Sequence, residues 1–441
     1  MRHAPRPPDA ALTDEAMARL DAAMLDRLQK GAFDYFPKAS NPRNGLVADT
    51  TRRGSPASIA VVGFALSSYP VAVEHGWIER EVAVQACLAC LRFFWNSDQT
   101  GNPQATGYRG FYFHFLDIET GLRAWQSELS LIDSTLLIAG ILTAAAYFDA
   151  ATPDELELRE LADRLYRRVD WRWAQYTGAT VAQGWKPECG FLHYGWEGYS
   201  EAILLYALGL GSPTHPLSAE SFEAWTVTYQ WENLYGYDFL YAGPLFIHQF
   251  SHAWIDFRGI RDRFMREKRS DYFENSRRAT YVQREYAIRN PHSFVDYGED
   301  CWGLSAGEGP SAQPRLLDGR SQGFFGYAAR GVPYGPDDGT IAVTSITASL
   351  VFAPELALAA MHKLHGAGTH AGDEVLLCSG VNATFTAPQA RWTSEGAFGL
   401  DQGMTVLMIE NYRSGLLWKL GRRSSILRAG LRRAGFTGGW L

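Results

Sequence analysis

The sequence predicts an all-α protein in which two concentric layers of helices form a toroid. Three observations point there. About a dozen segments carry helical patterns, several of them are apolar on every face, and sustained apolar/polar alternation is scarce. A helix that is apolar all round must be covered on all sides, whereas an amphipathic one needs cover on one face only. An inner ring wrapped by an outer ring satisfies both kinds, and its loop-lined mouth is a natural cleft.

The elements follow in order. After a Pro-rich lead, "TDEAMARLDAAMLDRLQKGAFDYF" is the first helical pattern. In "SPASIAVVGFALSSYPVAVEHG" Ser55 is placed as N-cap and Pro56 at the first helical position. "EREVAVQACLACLRFFW" and the strongly apolar "ELSLIDSTLLIAGILTAAAYF" come next. Thr152, Pro153 and Glu155 then fit a capping box at the head of "TPDELELRELADRLYRRVDWRWA". Further helices are expected in "GYSEAILLYALGLG", "SAESFEAWTVTYQWEN", "PLFIHQFSHAWIDFRGIRD" and "RSDYFENSRRATYVQREYAIRN". Near the end, "GTIAVTSITASLVFAPELALAAMHKLHG" and "GMTVLMIENYRSGLLWKL" complete the set. Minor β-hairpins are expected at "RGFYFHFLD" and "ATFTA", and the irregular stretch 298–339 reads as a cleft wall. The organisation is a lead and helix over 1–30, a single catalytic domain over 31–420, and a basic tail over 421–441.

Composition narrows the function. A net charge of −7 argues against a nucleic-acid groove or an anionic membrane surface as partner. The longest apolar run, "IAVVGFAL", is too short to cross a bilayer. The N-terminus has no apolar leader segment, so a cytoplasmic location is expected, or a periplasmic one if a leader has been trimmed. Five cysteines do not form a disulfide framework, and Cys87 and Cys90 read as small core residues rather than a metal pair. The 14 Trp and 21 Tyr often neighbour Gly, Pro, His or acids, a placement that suits sugar rings better than core filling. An oligo- or polysaccharide is therefore the expected partner.

Among motifs, "GLSAG" (303–307) matches a nucleophile elbow but lacks the preceding strand and following helix. His248, His252 and Asp256 fall four residues apart, as on a metal-binding helix, but Gln249 stands where a zincin has Glu. A row of hydrogen-bonding groups facing the cleft, His248, His252 and Asp256 with Arg258 extending it, is the preferred reading. Purely structural His and Asp are its competitor, and no metal and no cofactor are expected.

Carboxyl groups carry the chemistry. Glu201 opens an apolar segment flanked by Trp196, Tyr199 and Tyr206, and dry surroundings keep a proton on such a group. A protonated acid poised near a leaving oxygen is half of a glycosidase. For the ionised partner the candidates are Asp133, with Glu128 a turn before it, and Asp337 and Asp338, which also suit a helix N-cap. The loop acids Glu299, Asp300 and Glu308 are further ones. Trp196 and Tyr199, with His193, Trp302, Asp337 and Glu308, are the further candidate sugar contacts.

The chain, from about Phe33 to about Leu420, resembles a known family. "LFIHQFSHAWIDFRGIRD", "DYFENSRRAT", "WGLSAGEGP", "DDGTIA", "FAPE" and "MIENYRSGLLWKL" carry the resemblance. The family is the bacterial one first labelled "putative glucoamylase", whose characterised members include the endo-β-1,2-glucanases of glycoside hydrolase family 144. The resemblance implies an (α/α)6 barrel, metal-free hydrolysis with anomeric inversion, and the Glu of "WEGYSEA", Glu201, as general acid. In relatives of this architecture, a substrate hydroxyl can relay the proton from water. Beside that acid, Asp133 ranks first as the base or as a ligand of the sugar next to the scissile bond, then Asp338 and Asp337. Glu308 departs from the family's pattern, where Asp is expected. The expected function is endo-hydrolysis of β-1,2-glucan. Alternatives are an exo-acting or transglycosylating enzyme of the same fold, acting on β-1,2-gluco-oligosaccharides or another β-glucoside, and, remotely, a non-catalytic carbohydrate-binding protein.

Overall fold

The structure, a computed structural model, describes residues 14–175, 178–317, 319–365, 376–386 and 391–441. Twelve helices build its two layers. They are α1 (Asp14–Ala39), α2 (Ile59–Glu74), α3 (Arg80–Asn96), α4 (Leu131–Tyr147), α5 (Pro153–Arg168), α6 (Ile203–Gly211), α7 (Tyr272–Arg289), α8 (Val343–Ala348), α9 (Pro354–His365), α10 (Gly399–Arg413), α11 (Leu416–Arg423) and α12 (Ser425–Arg433). Among the described residues no helix is long and apolar enough to cross a membrane.

The inner ring runs through α2, α4, α6, a pair of 3-10 turns (Leu245–His248 and Phe250–Ala253), α8 and α10, the (α/α)6 arrangement. Burial follows the apolar sequences. Every α2 residue from Ile59 to Ala72 is buried, as is all of α6. The 3-10 pair is tied to both neighbours: Ser251 Oγ accepts from Leu204 N at 3.2 Å, and Gln249 Nε2 donates to Ser345 O at 2.7 Å. Outside, α5 is amphipathic and buries only the stripe Glu155, Leu158, Leu161, Ala162, Leu165 and Tyr166. The helices α1, α3, α7, α9 and α12 complete the outer layer.

The tightest inner contact is α2 on α4. A Cβ at Gly140 would lie 2.1 Å from Gly63 O, so the two backbones meet where no side chain fits. The basic tail joins the same packing, with α12 lying on α6 and Phe436 buried in the core.

Short strands crowd one end of the ring. A five-stranded antiparallel sheet takes in Gly107–Tyr108, Phe111–Phe113, Leu129–Ser130, Gly184–Lys186 and Gly190–Phe191. Leu129–Ser130 leads directly into α4, Ala57–Ser58 into α2 and Ile341–Ala342 into α8. These inner helices therefore start at a strand-lined mouth.

Several local expectations change. Ser55 and Pro56 do not begin α2: the strand Ala57–Ser58 intervenes, and Ser55 Oγ accepts from Thr50 N. Thr152 does cap α5, accepting from Glu155 N at 3.3 Å, but the Glu155 carboxylate turns to Arg80 and Ala150 N instead of closing the box. The pattern at 218–233 gives only Ser221–Thr226 before the hairpin Trp231–Leu234/Tyr237–Leu240. Of "ATFTA", the described part Ala383–Thr386 is a turn of helix, not strand, and position 387 lies outside the described residues. The expected helix around 245–256 is the 3-10 pair, so its four-residue spacing does not align side chains on one face.

Gly140→Ala is expected to lower the thermal unfolding midpoint, by an amount equivalent to about 1–3 kcal/mol, because backbone cannot yield to the added methyl. Calorimetry of the variant checks this, and a wild-type midpoint would show that the helices can separate without loss.

Candidate active site

Four carboxyl groups meet at the strand-lined mouth. Asp133 stands in the first turn of α4 and Asp401 in the first turn of α10. Glu201 sits in the turn just before α6, two residues ahead of its first position rather than within it, and Asp49 comes from the loop after α1. Helix N-termini favour negative charge, so these positions suit carboxyls. The groups are close enough to perturb one another. Burial and then the charge of Asp133 raise the Glu201 pKa to about 7. Burial first, with Asp133 and Asp401 adding to it against His114 and Arg52, brings Asp49 to about 6. Burial brings Asp401 to about 6 as well, with Thr344 and Ser379 beside it offsetting part of that push.

Glu201 is placed by its backbone. Ser251 Oγ donates to its carbonyl at 2.7 Å, which fixes the turn against the 3-10 pair. Trp196 and Tyr199 stand near it in sequence but are half-buried packing groups. Tyr199 lies against Tyr229, His248 and Tyr272, and the Trp196 carbonyl accepts from Tyr206 at 2.9 Å.

Asp133 is held by its own cap. Ser130 Oγ accepts from Asp133 N at 3.2 Å and donates to Asp133 Oδ2 at 2.5 Å. His114 stands between two carboxylates, Nδ1 at 2.9 Å from Glu128 and Nε2 at 3.6 Å from Asp133. Burial pulls its pKa down, but Asp133, Glu128 and Asp49 outweigh that and lift it to about 9. Tyr327 is an exposed side chain on a loop near the mouth, within electrostatic reach of Asp401, Asp133, Asp49 and Glu201. Desolvation at its hydroxyl, and then those charges, raise it to about 12.

Among the described residues, His114, Glu128 and Asp133 offer donor atoms within 4.8 Å of one another, close enough to share a metal ion. With its pKa raised to about 9, the ring faces a carboxylate with each nitrogen, and a metal ion bound here would first have to displace a proton from it.

Other sequence candidates lie elsewhere. Asp338 is fully buried and paired with Arg330, whose Nε and Nη2 stand 2.6 and 2.9 Å from its oxygens. It also accepts from Phe325 N and Thr340 N, which leaves no room for a water. Asp337 accepts from the Tyr286 and Tyr297 hydroxyls at 2.8 Å each. Through Arg330, which also reaches Phe325 O and Gly326 O, the Asp338 pair shapes the loop that carries Tyr327.

His252 is buried with Nε2 on Ser276 Oγ at 3.0 Å, and burial depresses its pKa to about 3. Asp256 is buried against Arg258 and Arg422, and Arg258 lies over the Trp418 ring. His252 and Asp256 are buried in the packing under the C-terminal helices, and Arg258, half exposed, pairs with Asp256 and lies against Trp418 rather than on a cleft face. Trp302 has no exposed surface and cannot touch a sugar. Ser305 of the "GLSAG" motif is buried and accepts from Phe246 N. His193 is exposed on the loop before Trp196. Glu308 reaches the mouth, where Arg52 holds both its oxygens, at 3.2 and 3.0 Å.

Sequence reasoning missed Asp49, Asp401, His114 and Tyr327. A signal existed for Asp401, an acid in the first turn of an apolar helix like Asp133. For Tyr327, in an irregular loop, there was none.

The family model described as "Glycoamylase: Putative glucoamylase" matches residues 193–425, more than half of the chain. The chain belongs to this family. A curated relative, "Exo beta-1,2-glucooligosaccharide sophorohydrolase (non-reducing end)" of Parabacteroides distasonis, is 26% identical over 435 residues, 91% of this chain. The chain spans 56% of that relative's length. A crystal structure titled a "putative glucoamylase" from Bacteroides uniformis superimposes with a TM-score of 0.83 at 28% identity, covering 98% of this chain and all of that one. The endo-β-1,2-glucanase of Chitinophaga pinensis, in complex with sophorotriose and glucose, gives 0.81 at 26% identity, covering 96% of this chain and 99% of that one.

Holding a proton on Glu201 has a stability consequence. The unfolded carboxyl releases its proton near the ordinary 4.5, whereas the folded one keeps it to about 7. The folded state thus binds more protons in that window, and stability falls as pH rises through it. Glu201→Gln is expected to be about 1–3 kcal/mol more stable than wild type at pH 8 and equal to it below pH 4. Urea unfolding at both pH values checks the difference.

Proposed function

We propose that this protein is a glycoside hydrolase that cuts β-1,2-linked glucan within the chain and inverts the anomeric centre, with Glu201 as general acid. The observation that carries the reading is the pKa of Glu201, raised to about 7 by burial and by Asp133. The substrate class rests on the names of the two β-1,2-glucan-active relatives, aligned over nearly all of this chain.

In this mechanism Glu201 passes its proton to the glycosidic oxygen as the bond from the anomeric carbon to that oxygen breaks. A water attacks the carbon from the opposite face, and Asp133, directly or through a sugar hydroxyl, takes the proton the water releases. Inverting pairs are set roughly 6.5–9.5 Å apart to admit that water. His114 Nε2 faces the Asp133 carboxylate at 3.6 Å. Asp49 and Asp401 accept hydrogen bonds from sugar hydroxyls. Every step uses the chain's own carboxyls.

The curated relative's name favours a second reading, exo-action that releases sophorose. Incubation with linear β-1,2-glucan separates the two: endo-cleavage gives a ladder of oligosaccharides, exo-cleavage gives disaccharide from the first minutes. Proton NMR of the first product reads the anomer, and retention would replace hydrolysis by inversion with a double-displacement or transfer reaction. Absence of any product from the wild-type enzyme overturns the proposal.

Two further outcomes are expected. The variant Glu201→Gln loses about 10²–10⁴-fold in kcat on this substrate. In the wild type, kcat/KM falls above pH 7 as Glu201 gives up its proton, and a chelator in the assay leaves the rate unchanged.

A further inference from the structure

We propose that Trp125 is a stacking platform for one glucose ring of the bound glucan, a subsite on the rim of the acid cluster. The inference rests on the proposed function and adds a binding position to it.

Trp125 is 69% exposed, an unfavourable place for the largest apolar side chain. Its backbone makes the placement more telling. Trp125 (φ 56°) and Gln126 (φ 51°) are consecutive non-glycine residues in the left-handed region. Such conformations cost on the order of 1 kcal/mol or more each and survive where the surroundings impose them.

The surroundings do so here. Arg123, whose side chain is 1% exposed, donates from Nε to Ser127 O at 2.6 Å and from Nη2 to Gln126 O at 2.8 Å. Its Nη1 holds Glu188 at 2.6 Å, and its guanidinium lies 4.6 Å from the Phe113 ring centre. Ser127 Oγ accepts from Phe115 N at 3.2 Å. The loop is bolted from beneath while the indole is left outside. An aromatic fixed before the ligand arrives loses little freedom on binding.

The platform also adjoins the acids. Its ring neighbour Phe115 lies 5.0 Å away, and Phe115 stacks on His114 at 4.0 Å and 12°. His114 in turn faces Glu128 and Asp133. A glucan bound across Asp133 has the indole within a short oligosaccharide's reach, and the CH face of a pyranose suits a flat apolar ring.

The test compares wild type, Trp125→Ala and Trp125→Phe on linear β-1,2-glucan and on the shortest β-1,2-gluco-oligosaccharides that the enzyme cleaves. For the long chain, Trp125→Ala is expected to raise KM roughly three- to tenfold while kcat changes less than about twofold. Trp125→Phe restores part of the loss, and the KM effect shrinks on the shortest substrates. In a Glu201→Gln background, calorimetric titration with the long glucan shows the same three- to tenfold weakening on Trp125→Ala. Unchanged KM and Kd at every chain length, with an active wild type, overturn the subsite alone. A KM rise independent of chain length, accompanied by a lower unfolding midpoint, assigns Trp125 a structural role and also overturns it. A wild type that cleaves no β-1,2-glucan overturns the proposed function and the subsite together.

Discussion

Four carboxyl groups share one poorly hydrated mouth, and they cannot all ionise freely. That constraint governs the rest of the site. Burial is the main reason that the proton on Glu201 persists to about pH 7 and that Asp49 and Asp401 are raised to about 6, and the nearby charge of Asp133 adds to it at Glu201 and Asp49. His114, between Glu128 and Asp133, and Arg52 beside Asp49 partly balance the set. The fold creates the crowding by starting α4, α6 and α10 at one end of the ring, so side chains from distant stretches of sequence meet at helix N-termini.

The sequence made the layers legible because burial on all sides leaves a compositional mark. Segments such as "IAVVGFAL" and "ILLYALGLG" can only be interior. Glu201 was legible for the same reason, as a carboxyl in a stretch that otherwise avoids charge. Less legible was which polar stretches face the mouth of the ring and which its floor, although Asp133 and Glu308 do lie at the mouth. His252, Asp256 and Arg258 look as polar in sequence as mouth residues do, yet His252 and Asp256 sit in the packing beneath the C-terminal helices and Arg258 lies against Trp418. Their expected alignment assumed α-helical pitch, and the chain there makes 3-10 turns instead. Asp49 and Tyr327 come from loops, whose positions depend on partners far away in the chain rather than on local pattern.

Asp338 shows how a candidate acid can serve the site without touching substrate. Its pairing with Arg330 is wholly buried, and such a pair contributes more to a defined shape than to net stability. The same guanidinium reaches the carbonyls of Phe325, Gly326 and Gly307, which sets the course of the loop on which Tyr327 stands near the four acids. Glu308 acts comparably on the other wall, where its pairing with Arg52 joins the loop after α1 to the irregular segment around 308.

The contact of α12 on α6 has a corollary for the order of assembly. The helix behind Glu201 is covered by residues more than two hundred positions further along, and α1 likewise waits for α10. Contacts of such long range need the whole intervening chain, so during synthesis the helix behind Glu201 has its cover only once α12 has been made.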